Sequence, residues 1–342
     1  MLKKIKVEDA VGLKLAHDHT QILPGKFKGA RFRRGHLLRR SDVPKLLDLG
    51  KKEVYVLTLS PGEVHEDEAA KRIARGVSGR NLKLAIPREG KVEFIAKTFG
   101  LLKVQVVALE KINRMGAIIL STRHNRSIVR AGDVVAGTRI IPLFIRESKV
   151  ARVEEIGRRL GPIIEIAPIR PKRVGILVTG SEIVEGRIPD RSSAIVAGKV
   201  EALGSKVIRT AAVTDDPALI AAEIGRMKKA GCQVIVTTGG LSVDPDDVTL
   251  EGIRRSGAKV VFYGTPVLPG AMFAYARLEK TTILGTPACV VHDPVTALDV
   301  FLPRVLADDP VSAGDVAPLG HGGLCLRCPV CRYPVCPFAK GG

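Results

Sequence analysis

At 342 residues, with 45% hydrophobic and 26% charged side chains, the chain exceeds what one hydrophobic core supports and reads as a soluble protein of two or three domains. No apolar run approaches the roughly 18–20 residues that span a bilayer, and residues 1–16 alternate charge with apolar side chains instead of forming a signal-peptide core, so a cytoplasmic protein without membrane contact is expected. The formal net charge of +19 calls for an anionic partner or a solvated basic surface; aromatics at 4% and the absence of Trp disfavour a nucleic-acid reader, and a phosphorylated small molecule explains the charge at least as well.

In chain order, residues 1–60 read as a small β-rich unit. Apolar spacing at Ile5, Val7, Val11 and 13–16 predicts short strands, 42–49 a helix capped by Ser41 or Asp42 and stopped by Gly50, and 53–57 another strand. Positive charge concentrates here, at Lys26, Lys28, Arg31, Arg33, Arg34, Arg39 and Arg40, with only Phe27 and Phe32 interleaved. Ser60-Pro61-Gly62 marks a boundary. Over 61–170 a second mixed α+β unit follows: a helix at 66–76, apolar runs at 104–109, 117–120 and 139–145, and a helix at 150–160 ended by Gly161-Pro162.

From Arg173 the pattern becomes regular, and 171–310 reads as an α/β domain of three layers with a mainly parallel sheet. A strand over 174–179 ends in Gly180, a helix covers 192–203 with Gly204 at its C-terminal cap, and a second strand covers 206–213. Thr214-Asp215-Asp216-Pro217 opens a helix over 218–230. The strand at 233–238 runs into Gly239-Gly240, and Asp246 or Asp247 is placed to cap a helix reaching about 256. Strands at 258–263, 273–278 and 281–284 and a long helix over 289–306 complete the domain. Three loops, Thr179 to Glu182, the Gly239-Gly240 stretch, and Gly285-Thr286-Pro287, pair glycine with a hydroxyl, which offers close backbone approach and donors for a phosphate. Pro269-Gly270 precedes the last of them. His292 could reach such a site, and Asp293 is read as a helix cap.

These loops, in this order and spacing, resemble the molybdenum-cofactor biosynthesis domain shared by molybdopterin adenylyltransferases and molybdotransferases. The matching residues are Thr179-Gly180-Ser181-Glu182, Asp190, Val213 to Asp216, Thr238 to Asp247, Pro269-Gly270 and Gly285-Thr286-Pro287. Ser242 after Gly-Gly favours the molybdotransferase-like branch, which VEDAVGLKLAHD and PGKFKGARFRRGH in the leading unit also resemble. The resemblance implies binding of molybdopterin, with Mg²⁺-dependent molybdate insertion into an adenylylated form, a homodimer, and a recipient molybdoenzyme. It would make Asp190 and Asp247 the acidic residues, with Gly239, Gly240 and Ser242 on the phosphate and Thr179, Gly180, Ser181, Glu182, Asp215, Thr238, Pro269, Gly270, Gly285, Thr286 and Pro287 about the ligand. The sequence departs from the family pattern at three places: Ser181, Asp244, and the Arg191-Ser192 pair. The alternative reading is a non-catalytic pterin carrier or redox sensor.

That alternative is motivated by residues 311–342. Cys325, Cys328, Cys331 and Cys336 form C-x-x-C-x-x-C-x-x-x-x-C-P, a density that in a cytoplasmic chain points to metal ligation before disulfides. The spacing favours a 4Fe–4S cluster over zinc, although the last gap is four residues where the iron–sulfur run has three. Cys232 and Cys289 read as small buried residues, and His321 as solvated.

Overall fold

The computed structural model describes residues 3–23, 27–56, 60–88 and 90–341. Lys26 and Leu57, assigned above to the basic segment and to a strand, lie outside the described residues. The chain divides into two compact units, one of residues 1–97, 103–123 and 131–166, the other of 98–102, 124–130 and 167–342. Among the described residues no helix is long and apolar enough to cross a membrane.

The first unit begins with Lys3–Lys6 paired antiparallel to Glu53–Val56, and with a hairpin of His19–Leu23 and Phe27–Phe32. Val7, Leu15, Leu38 and Leu46 form their common core. Its larger sheet is antiparallel, in the order Leu82–Leu84, Lys91–Ala96, Val134–Ile140, Ile118–Thr122. Helices Glu66–Val77 and Glu147–Leu160 are tied by Arg72, whose guanidinium donates to both oxygens of Glu154 at 2.9 Å. The apolar run at 104–109 divides differently from expectation: it crosses from the strand Gly100–Val104 into the helix Val106–Asn113.

The second unit holds a six-stranded sheet. Its strands are β1 (Arg173–Thr179), β2 (Lys206–Val213), β3 (Val234–Thr238), β4 (Lys259–Tyr263), β5 (Ala274–Leu278) and β6 (Thr281–Thr286). Their spatial order is β2-β1-β3-β6-β5-β4; the first four are parallel, and β5 is antiparallel to both of its neighbours, β6 and β4. β1, β3 and β6 are near-continuous apolar or threonine runs because both of their faces are covered. Alternate residues serve opposite layers. A short helix, α1 (Ser181–Val184), follows β1, and Val174, Ile176, Val178, Val234 and Val236 meet α2 (Ser192–Ala202) and α5 (Ala297–Leu306) through Val196, Val200, Leu298 and Phe301. Leu177, Ile235 and Ile283 meet α3 (Pro217–Lys229) and α4 (Thr249–Arg255) through Ile220, Ile224 and Ile253. Each fully buried Leu, Ile or Phe in these layers contributes roughly 1.5–3 kcal/mol. The domain is a three-layer α/β structure.

The long helix expected over 289–306 is two pieces. Residues Ala288–Val291 form a 3-10 turn, and α5 starts afresh after Thr296, whose hydroxyl accepts from Leu298 N at 3.3 Å while Asp299 accepts from Thr296 N at 2.8 Å. Thr296, not Asp293, is therefore the cap. At the other end of α5, Arg304 is almost wholly buried, with its side chain 2% exposed. Its Nε donates to Asp309 at 2.8 Å, a second nitrogen lies 3.5 Å from Asp315, and Arg126 pairs with both carboxylates. The residues after α5 continue across this unit: Phe338 and Ala339 belong to the same core cluster as β1 and β3.

Candidate functional site

The parallel strands β1, β2, β3 and β6 bring their carboxyl ends to one edge, where open α/β sheets bind ligands. At that edge lies a pocket of about 390 Å³. Thr179 and Glu182 reach it from the end of β1, Thr238 and Gly239 from the end of β3, Arg191 and Ser192 from the start of α2, and His292 from the turn after β6. Ile183, Ile188 and Val291 add apolar walls.

The turn after β3 requires glycine. Gly239 has φ +90° and Gly240 φ +56°. A Cβ on Gly239 would stand 2.4 Å from the Thr179 carbonyl oxygen, and one on Gly240 2.4 Å from Thr249 Oγ1. Main chain thus passes directly over main chain, and the turn closes where Thr249 N donates to Gly240 O at 2.9 Å. Beneath it, Thr179 Oγ1 donates to Thr238 O at 3.1 Å and shares a hydrogen bond with Thr249 Oγ1 at 2.8 Å, while Ser192 Oγ and Thr238 Oγ1 are joined at 2.8 Å. These buried hydroxyls fix the first residues of α2 and α4 to the ends of β1 and β3.

Three carboxylates, Asp215, Asp190 and Asp247, are hydrogen-bonded locally, while Glu182 lines the pocket itself. Asp215 Oδ2 accepts from Ser181 N at 2.8 Å and Ser181 Oγ at 2.9 Å, which pins the loop after β1 to the loop after β2. Ser181, a departure from the family pattern, is therefore the partner of a residue that the pattern retains. Asp190 accepts from Ser192 N at 2.8 Å, Ser192 Oγ at 2.9 Å, Ser193 N at 3.1 Å and Ser193 Oγ. Burial pushes the Asp190 carboxyl up, but the bonds from Ser193 and Ser192 together outweigh it and hold the group below its ordinary value. Asp247 accepts from Asp244 N at 3.0 Å. Neither Asp246 nor Asp247 caps α4, whose preceding residue Val248 makes no side-chain cap bond.

The remaining sequence-derived candidates have other surroundings. Ser242 is exposed on the loop, and Asp247 is half-buried there. Gly180 is buried, its N donating to Val213 O at 3.1 Å. Pro269 and Gly270 are buried against the start of α5, where Ala297 N donates to Pro269 O at 3.1 Å. Gly285 and Thr286 are buried in β6, and Pro287 opens the turn that carries Val291 and His292 to the pocket. Cys325, Cys328, Cys331 and Cys336 are free thiols that line a second cavity of about 260 Å³, and His292 lines this one too. Asp293, read as a cap, instead pairs with Arg327 of that segment at 3.4 Å. Among the described residues no three His, Cys, Asp or Glu side chains meet where a metal ion could be held.

Residues 175–307, all but the first two residues of the sheet domain among them, match the profile of a probable molybdopterin binding domain. The sheet domain belongs to the molybdopterin-binding domain family. Residues 4–58 match a domain of unknown function. The chain is 42% identical over 83 residues to a CinA-like protein of Mycobacterium leprae, covering 24% of this chain and 19% of that protein. It is 28% identical over 144 residues to a molybdopterin molybdenumtransferase of Synechococcus elongatus, covering 39% of this chain and 36% of the relative. The match thus spans about a fifth of the length of the CinA-like relatives. The Mog protein of molybdopterin biosynthesis from Mycobacterium ulcerans aligns in structure at 20% identity and a TM-score of 0.34, over 41% of this chain and 99% of that one.

Proposed function

We propose that the sheet-edge pocket binds molybdopterin, the phosphorylated dithiolene pterin, and that the chain serves molybdenum-cofactor biosynthesis. One observation carries the reading: in a domain of this family, the Gly239 turn and the ends of β1 and β3 wall a pocket that joins bare main chain to Arg191 and His292. A phosphate dianion is matched there by close approach to backbone and by basic side chains, and the flat pterin by Ile183, Ile188 and Val291.

Mg²⁺ uses one or two carboxylates, completed by water and substrate phosphate oxygens. Asp190 and Asp247 do not fit that use as they stand. Asp190 is engaged by four donors from Ser192 and Ser193, and Asp247 is bonded within its own loop and is absent from the pocket lining. These engaged carboxylates favour the carrier reading over molybdate insertion. The proposal includes a cytoplasmic homodimer that passes its pterin to a recipient molybdoenzyme.

Calorimetric titration with molybdopterin and with its adenylylated form tests the reading. One site per chain is expected, weakened about tenfold by Arg191→Ala, the loss of one charge-assisted contact. A folded protein with no affinity for either compound would refute it. Release of AMP from the adenylylated form, dependent on molybdate and Mg²⁺, would replace the carrier by a transferase.

A further inference from the structure

The pterin pocket makes no use of the four tail cysteines, yet the fold gathers them. Cys325, Cys328, Cys331 and Cys336 line one cavity of about 260 Å³ with Tyr333 and the turn at 292–295. Hydrogen bonds close the segment into a loop: Leu268 N donates to Gly323 O and Cys325 N to Leu268 O, each at 2.8 Å, and Ala339 N returns to Gly322 O at 2.9 Å. Inside the loop Tyr333 donates to Asp299 O at 3.0 Å and meets Phe338 edge-on, 6.2 Å between ring centroids. Cys328 and Cys331 are exposed, so core packing does not account for them.

We infer that this cavity is the site of a 4Fe–4S cluster bound by Cys325, Cys328, Cys331 and Cys336. Structural zinc sites usually separate two C-x-x-C pairs by about 12–20 residues, whereas here three cysteines follow one another at two-residue gaps, the start of the iron–sulfur run. A four-iron cluster takes one thiolate at each of four irons, and four cysteines line this one cavity. Pro337 directly after the last cysteine agrees with the iron–sulfur run. The site adjoins the pterin pocket, because His292 lines both cavities and Arg327 of the tail is paired with Asp293. Only this adjacency rests on the pterin reading.

The test uses the full chain purified without oxygen and reconstituted with equal amounts of ferrous and ferric iron and with sulfide. About four irons and four acid-labile sulfides per chain are expected, with a broad visible absorption that dithionite bleaches. Cys328→Ser and Cys331→Ser, at exposed positions, should each lose most of the iron while their circular dichroism stays that of the parent. Cys289→Ser, which lines neither cavity, should keep the full complement. Stoichiometric zinc without iron uptake, or four titratable thiols and no metal after reconstitution, would overturn the assignment. A chain that takes up iron but no molybdopterin supports the cluster and removes the pterin reading.

Discussion

The pocket at the strand ends and the cavity of the tail share His292 and are built on opposite plans. The first rests on two buried strand ends, Thr179 and Thr238, and the shape of its floor is set where a Cβ cannot go. The second is walled by side chains of a segment without helix or strand, around which Leu326, Val330 and Val335 stay more than 70% exposed. A site carved into a core keeps its form whatever it holds. A site hung on a loop takes much of its order from its contents, as metal-dependent folds do. The difference teaches that one protein can keep a preformed and a ligand-formed site side by side.

The sharpest test of the first half is Gly239→Val. It sets a branched side chain at φ +90° and against the Thr179 carbonyl, so urea unfolding should show a loss of about 3–5 kcal/mol, combining backbone strain with overpacking. A loss under about 1 kcal/mol would mean that the turn is not built on that close approach. For the second half, hydrogen exchange of the metal-free chain should be faster in 323–340, by about a hundredfold against the reconstituted one, with β1 and β3 unchanged. Equal loosening of both would end the contrast.

The smallest effect is a pH dependence at the pocket rim. Asp190 has a folded-state pKa below its ordinary 3.8, so its hydrogen bonds to the start of α2 contribute fully above that value and are lost as pH falls through the lower folded-state value. Thermal melting from pH 5 downward should therefore drop less steeply in Asp190→Ala than in the parent. Parallel slopes would show that Asp190 holds nothing there.

Much of the sheet domain is legible because its central strands are continuous apolar runs bounded by glycine, and such runs have few other uses. Observed ends fall within two residues of those expected for β1 to β6. The break before α5 was missed although its signal is present: Pro294, then Thr296 with Asp299 three residues on. The same holds for the site. Gly239 and Thr238 read correctly as residues of a strand-end turn, whereas Pro269-Gly270 has the same composition for another reason, to let the start of α5 pass over it. Residue type reports that main chain is approached closely, not by what. His292, expected to be able to reach the site, does so because α5 begins only at Ala297, which leaves residues 288–292 as a turn that feeds the pocket.

Arg304 bears on where the sheet domain ends. The family match stops at residue 307, but the carboxylates that neutralise this buried guanidinium, Asp309 and Asp315, come later in the chain. A chain cut at the family boundary would keep the cation and lose both anions, a penalty of about 3–5 kcal/mol for an uncompensated buried charge. The stretch that inheritance has kept recognisable and the stretch that can fold as a unit therefore finish at different residues, and here the tail lies on the folding side of that line.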